Sequence, residues 1–152
     1  MQSQRGVSEE IELHTARPAD CESIRRLLVA SALPVDGAPD DAEAFYVATH
    51  GGRLVGCAGL ELHAGDALLR SLAVAPEFRG RALAGRLCRE VELRARELGA
   101  RRVFLLTETA EAWFAKRGYR RIERAAAPAG IAASREFAAV CPAGAALMER
   151  EL

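Results

Sequence analysis

The stretch Leu68–Leu87 constrains this chain more than any other. It reads Leu-Leu-Arg-Ser-Leu-Ala-Val-Ala-Pro-Glu-Phe-Arg-Gly-Arg-Ala-Leu-Ala-Gly-Arg-Leu. The order is an apolar strand, a proline turn, an Arg/Gly-rich bend and the start of a long amphipathic helix. Successive backbone N–H groups in such a bend, followed by a helix N-terminus, make a concave cradle for a polyanion. Arg79, Arg81 and Arg86 crowd the same place, which points to a phosphate ester. The bend has no Gly-Lys-Ser/Thr ending and no Gly-x-Gly-x-x-Gly, which argues against a nucleoside-triphosphate loop and a dinucleotide site. A basic strand-to-helix turn without a ligand is the plainer alternative.

A length of 152 residues fits one domain with one core, preceded by a polar tail over residues 1–10. Lys plus Arg and Asp plus Glu balance at 21 each, so nothing suggests bulk affinity for nucleic acid or membrane. Four cysteines (Cys21, Cys57, Cys88, Cys141) lie far apart without Cys-x-x-Cys spacing. Reduced thiols in a soluble cytoplasmic protein are expected, with neither a disulfide framework nor a metal site. The polar start does not resemble a signal peptide, and no apolar run is long enough to span a bilayer.

Along the chain, Ile11–Arg17 alternates as a half-buried strand. Asp20 is expected to N-cap a helix over Cys21–Ala32 whose apolar face is Ile24, Leu27, Leu28 and Ala32. Leu33–Asp41 reads as a loop. Ala44–Thr49, the turn His50-Gly51-Gly52 and Arg53–His63 form a hairpin, and Ala64-Gly65-Asp66 turns into the strand Ala67–Ala75. A helix from about Arg81 to Leu98 carries the stripe Leu83, Leu87, Val91, Ala95 and Leu98, closed by Gly99. Arg102–Thr107 is a strand, Thr109–Arg117 a short helix ending at Gly118, and Tyr119–Glu123 a strand. Ala125–Val140 gives a loop and a helix stopping before Pro142, and Ala145–Leu152 a final strand. The fold class is α/β (α+β): a mixed, mostly antiparallel sheet of about seven strands, parallel around the central helix, with helices on both faces.

The bend Arg79-Gly80-Arg81-Ala82-Leu83-Ala84 resembles the pyrophosphate-binding motif of the GNAT acyl-CoA N-acyltransferases, Arg/Gln-x-x-Gly-x-Gly/Ala. Ala82 replaces the inner glycine, and Ala84 fits. The element order over residues 10–152 matches the same architecture. Thr109-Ala-x-x-Trp-Phe-x-x-x-Gly-Tyr119 is similar to the acetyltransferase domain of bacterial N-acetylglutamate synthases. The tail with Cys141-Pro142-Ala143 and a final strand resembles acetyltransferases encoded beside arsenic-resistance genes. That group is named for its relation to enzymes that acetylate glutamate-like toxins, phosphinothricin and arsinothricin. Phe114 stands where many family members have a tyrosine general acid. Cys141 and Ala143 stand where the glutamate synthases hold the substrate carboxylate with Arg and Ser, which argues against L-glutamate itself. A lone Cys141 would be a poor ligand for trivalent arsenic.

The resemblance implies acetyl-CoA as co-substrate, bound by Arg79, Gly80, Arg81, Ala82, Leu83, Ala84 and Gly85. Backbone around Leu72, Ala73 and Val74 would pair with the pantetheine amides, with Phe114 near the sulfur. Acetyl transfer to an amine needs a neutral amine and stabilisation of developing charge. Glu61 is the candidate general base. His63, two residues on along the same strand and facing the same side, is the alternate, and a solvated or structural role is the bland reading of both. Arg70, in an apolar strand, either pairs with Glu61 or receives a substrate carboxylate, since an unpaired buried guanidinium is costly. Thr107 could orient substrate, or its hydroxyl could cap the next helix, and Tyr119 reads as core. The expected function is an acetyl-CoA-dependent N-acetyltransferase acting on a small amino acid or amino-acid-like toxin. A homodimer is left open. The alternatives are a silent acyl-CoA-binding regulator and a protein or peptide N-acetyltransferase.

Overall fold

A computed structural model describes residues 10–35, 44–80, 82–137 and 144–152. The expectations for the tail up to residue 9, part of the loop after Val35, Arg81, Cys141 and Ala143 lie outside the described residues. The expected helix end before Pro142 does too. Seven strands form one mixed sheet in the order β1-β2-β3-β4-β5-β7-β6. They are β1 (Ile11–Thr15), β2 (Phe45–His50), β3 (Arg53–His63), β4 (Asp66–Val74), β5 (Arg102–Thr107), β6 (Arg120–Ile122) and β7 (Ala146–Glu151). The helices are α1 (Cys21–Ala30), α2 (Leu83–Glu97), α3 (Glu111–Lys116) and α4 (Ala129–Ala132). Contacts group the chain into two units, Met1–Gly59 with Ser71–Val91, and Leu60–Arg70 with Glu92–Leu152.

In the first unit β1 and β2 pair antiparallel from Ile11↔His50 to Thr15↔Tyr46, and β2 pairs antiparallel with β3 through the Gly51-Gly52 turn. Both glycines have positive φ (59° and 82°), as a two-residue hairpin turn requires. Ile24, Leu27 and Leu28 of α1 are buried, as their spacing predicts. Ala32 is not part of that face. The helix stops at Ala30, and Ala32 turns out of it with φ 58° while Leu33 N–H bonds back to the Leu28 carbonyl. Asp20 stands at the N-cap position of α1, as expected, but its side chain makes no cap bond to the helix. Its carboxylate accepts the Arg17 backbone N–H at 2.8 Å, closing the short 3₁₀ turn Pro18–Asp20 that precedes the helix. Early in α2, Leu83 and Leu87 lie over Gly56, where an added Cβ would come within 3.0 Å of the Leu87 side chain. Close packing of strand and helix therefore selects glycine at position 56.

In the second unit β4 and β5 run parallel over Asp66–Leu68 against Arg102–Phe104, and β7 lies antiparallel between β5 and β6. Leu68, Phe104, Ile131 and Leu147 form its core, with Leu106, Ile122, Ala127 and Phe137 packed against them. Asp66 accepts from Arg102 at 3.1 Å, and Glu149 accepts from Arg120, so the buried carboxylates of this sheet are paired. The α2 stripe continues with Ala95 buried, but Leu98 is 44% exposed. The helix ends at Glu97, one residue short of Leu98, and Gly99 (φ 92°) then turns the chain away.

Tyr119 is buried, as expected of a core residue, and its hydroxyl donates to Glu92 Oε2 at 2.8 Å. Arg150 Nη1 donates to the other oxygen of Glu92 at 3.0 Å. Glu92 thus links α2 to β7 and to the start of β6. Tyr119→Phe removes one partner of a buried carboxylate while keeping the ring. Urea titration should show a loss of about 1–2 kcal/mol with an unchanged m-value.

Candidate functional site

The bend after β4 is built mainly from backbone. Ala75 leaves β4 with its N–H on the Val55 carbonyl, and Pro76–Phe78 makes one 3₁₀ turn. Phe78 is buried against the His50 ring, 5.1 Å between centroids. Arg53 donates to Glu77 at 2.9 Å, joining the β2–β3 hairpin to the turn. The Glu77 carboxyl is held below its ordinary range by its own backbone N–H and by Arg53. Arg79 Nε donates to the Val74 carbonyl at 3.0 Å, fixing the point where the strand ends.

Gly80 and Ala82 then adopt left-handed conformations, φ 80° and 61°. The Arg86 N–H bonds to the Ala82 carbonyl at 3.1 Å, tying the bend into α2. The opening N–H groups of an α-helix point out of its N-terminal end, so the bend and α2 together can hold an anion. A Cβ added at Gly80 would meet nothing within 4 Å, so the cradle is open there. Arg79, Gly80 and Ala82 are exposed, and Ala84 and Gly85 are partly so. Leu83 is buried, leaving only its backbone for a ligand.

Leu72, Ala73 and Val74 precede this bend on β4. The ladder between β4 and β5 ends at the pair Leu68↔Phe104, short of these three residues. Ser71 has φ 57° within the strand, an irregularity typical of a β-bulge. Its carbonyl accepts the Cys57 thiol at 3.3 Å, and burial pushes that thiol up to about 12. Cys57 is therefore a packed structural thiol rather than a nucleophile.

The second unit gathers the expected proton-handling residues. Glu61 Oε1 lies 2.9 Å from His63 Nε2, and Arg70 Nη1 donates to Glu61 Oε2 at 2.5 Å. Their side chains are 26%, 24% and 10% exposed, in the order Glu61, His63, Arg70. Of the two expectations for Arg70, the pairing with Glu61 is the one formed in this structure. α4 packs on the end of β3: a Cβ at Gly130 would lie 2.9 Å from the Cβ of His63.

Thr107 Oγ1 accepts the Ala110 N–H at 3.0 Å, closing the turn into α3. Phe114 is buried between Trp113 and Tyr119, with ring centroids 4.9 and 5.5 Å away. Among the described residues no group of three or more His, Cys, Asp or Glu could hold a metal ion. No helix there is long and apolar enough to cross a membrane.

Three features escaped the sequence. The left-handed Ser71 carries no signal, because serine does not favour that conformation, and Ala82 is marked only by the glycine that the motif has in its place. Gly130 did carry one, a glycine interrupting an Ala-rich stretch, and close backbone approach is a standard reason for such a glycine.

The family described as "Acetyltransferase (GNAT) domain" matches residues 41–121. An amino-acid acetyltransferase of Ralstonia nicotianae is 40% identical over 81 residues, covering 52% of this chain and 18% of that protein. An uncharacterized N-acetyltransferase of Chlorobaculum tepidum is 30% identical over 120 residues, covering 74% and 77%. This chain spans only about a fifth of the amino-acid acetyltransferases it matches (18–20%). The fold is shared with N-acetylglutamate synthase of Neisseria gonorrhoeae, solved with coenzyme A and N-acetyl-glutamate. That likeness has a TM-score of 0.81 at 22% identity, over 94% of this chain and 35% of the other. A Mycobacterium tuberculosis protein solved with CoA gives a TM-score of 0.80 at 24% identity, over 93% and 99%.

Ala82 occupies the left-handed position that the motif gives to glycine. Its side chain is exposed, so no packing compensates for the strain. Ala82→Gly should raise stability by about 1 kcal/mol in urea titration, and Ala82→Val should lower it by at least as much.

Proposed function

The chain belongs to the GNAT acetyltransferase family, and we propose that it transfers an acetyl group from acetyl-CoA to the amine of a small amino acid or amino-acid-like molecule. The observation that carries this reading is the bend Val74–Leu83. Two left-handed residues, Gly80 and Ala82, the glycine open to its surroundings, lead into the N-terminus of a 15-residue helix. That is a fitting seat for a pyrophosphate. When bound, acetyl-CoA supplies an activated thioester. The residues of the chain bind it, orient it and manage protons.

Gly80, Ala82, Ala84 and Gly85 offer backbone to the pyrophosphate, with Arg79 and Arg81 adding positive charge. Arg79 also anchors the strand end through Val74. The β4 backbone at Leu72, Ala73 and Val74 is assigned to the pantetheine amides, and the pairing register with β5 stops before it. The hydrogen-bonded pair of Glu61 and His63 supplies the group that takes the ammonium proton, so that the nitrogen lone pair can attack. The acceptor class rests on the amino-acid acetyltransferases among the relatives. The tail's resemblance to the arsenic-resistance-associated group extends it to amino-acid-like toxins.

A thiol-release assay with acetyl-CoA and a panel of amino acids tests the reading. Release is expected with at least one α-amino acid and with none of the N-acetylated forms. A mass shift confined to a peptide would overturn it. Gly80→Asp puts a carboxylate into the cradle, and Asp tolerates the left-handed region better than most residues. Calorimetry should show CoA binding about 10-fold weaker or worse, roughly 1.4 kcal/mol, with the thermal melt little changed.

A further inference from the structure

We propose that His63, through Nδ1, is the group that takes the acceptor's ammonium proton, and that Glu61, clamped by Arg70, is a positioning residue that holds the imidazole in the required tautomer. The inference rests on the acetyl-transfer reading above and assigns its proton acceptor. Both oxygens of Glu61 are already engaged, Oε1 with His63 Nε2 at 2.9 Å and Oε2 with Arg70 Nη1 at 2.5 Å. A guanidinium only donates, so Oε2 is fixed as an acceptor. A carboxylate likewise accepts, so the hydrogen of the Glu61–His63 contact belongs to Nε2. A neutral imidazole with its proton on Nε2 carries its lone pair on Nδ1. Among the described residues Nδ1 makes no hydrogen bond, and the side chain is 24% exposed, so the ring is reachable.

A carboxylate that orients an imidazole and stabilises its protonated form is a recurrent catalytic arrangement. Imidazole as a class exchanges protons near neutrality, which suits it to an ammonium substrate. Among the described residues, the charged group bonded to His63 is Glu61 from its own strand, and Arg70 from β4 reaches that same carboxylate. α4, reading Ala-Gly-Ile-Ala, brings no charged group. Its contribution is steric, because Gly130 lets its backbone lie on His63, where any Cβ would stand 2.9 Å from that of the histidine. The proton balance closes. One proton passes from the ammonium to Nδ1, giving an imidazolium that returns it to solvent. As the N–C bond forms and the C–S bond breaks, the second amine proton reaches the departing thiolate through solvent.

The test compares two conservative variants in one assay. His63→Gln should lower kcat/KM by about 100-fold or more and abolish the acid limb of its pH profile. Glu61→Gln retains an acceptor for Nε2–H, and should lose only about 10-fold and keep that limb. CoA affinity should be unchanged in both. A His63→Gln variant within about threefold of wild type, or one that keeps the limb while Glu61→Gln loses it, overturns the inference and leaves acetyl transfer standing. A second readout needs no turnover. With three histidines in the chain, the His63 signals in ¹⁵N-resolved imidazole spectra are identified by their absence in His63→Gln. Wild type should show Nε2 protonated and Nδ1 bare. A proton on Nδ1 instead would overturn the assignment. If wild type acetylates no amine, the functional reading fails, and the acceptor role fails with it whatever the tautomer.

Discussion

Two neighbouring strands that run parallel cannot be joined by a tight turn. β4 and β5 are parallel, so the chain must leave the end of β4 and come back to the start of β5 through a crossover. That requirement explains the most distinctive stretch of sequence. A proline turn stops the strand, left-handed residues at Gly80 and Ala82 redirect it, and α2 returns it to Arg102. A helix N-terminus at the mouth of a bend is also an anion seat. The connection that topology demands is therefore the same one that the proposed chemistry uses.

Where local chemistry decides conformation, the sequence was readable to the residue. Two glycines at 51 and 52 fixed the hairpin, so Arg53–His63 was anticipated with its observed bounds, as was Arg102–Thr107. The order of elements and the burial of Leu83, Leu87, Val91 and Ala95 followed from periodicity. The misses fall at element ends. Ala32 and Leu98 continue a helical spacing on paper, but each helix stops one or two residues earlier. Asp20 looks like a cap by residue type, yet a 3₁₀ turn before α1 takes its carboxylate first.

The site was legible in composition but not in partnership. Glu61, His63 and Arg70 could each be named from their places on strands, while the sequence left open whether Arg70 met Glu61 or a substrate. Strand neighbours decide that, and the pair forms with Arg70 only 10% exposed. A guanidinium this deeply covered needs such a partner. Thr107 shows the same logic, since its hydroxyl meets the Ala110 N–H one turn away in this structure. Ser71 could not have been found, because its unusual φ is imposed by the strand rather than invited by its side chain, whereas Ala82 was marked only by standing in for a motif glycine.

The aromatic position at Phe114 bears on which proton matters most. It is buried between Trp113 and Tyr119, and on the proposed reading, which puts it near the CoA sulfur, its ring brings no hydroxyl to protonate a leaving thiolate. A thiol has an ordinary pKa of about 8.5, so a thiolate is a competent leaving group near neutrality and can collect its proton from solvent. An amine is the harder partner. A primary amine with an ordinary pKa near that of lysine, about 10.4, is almost wholly protonated at neutral pH and has no lone pair to offer. On that reading, a chain without a tyrosine at this position concentrates its demand on removing the ammonium proton. On the proposed reading that demand falls on the paired Glu61 and His63, and the packing of Arg70 and Gly130 around them is what holds that pair in a single geometry.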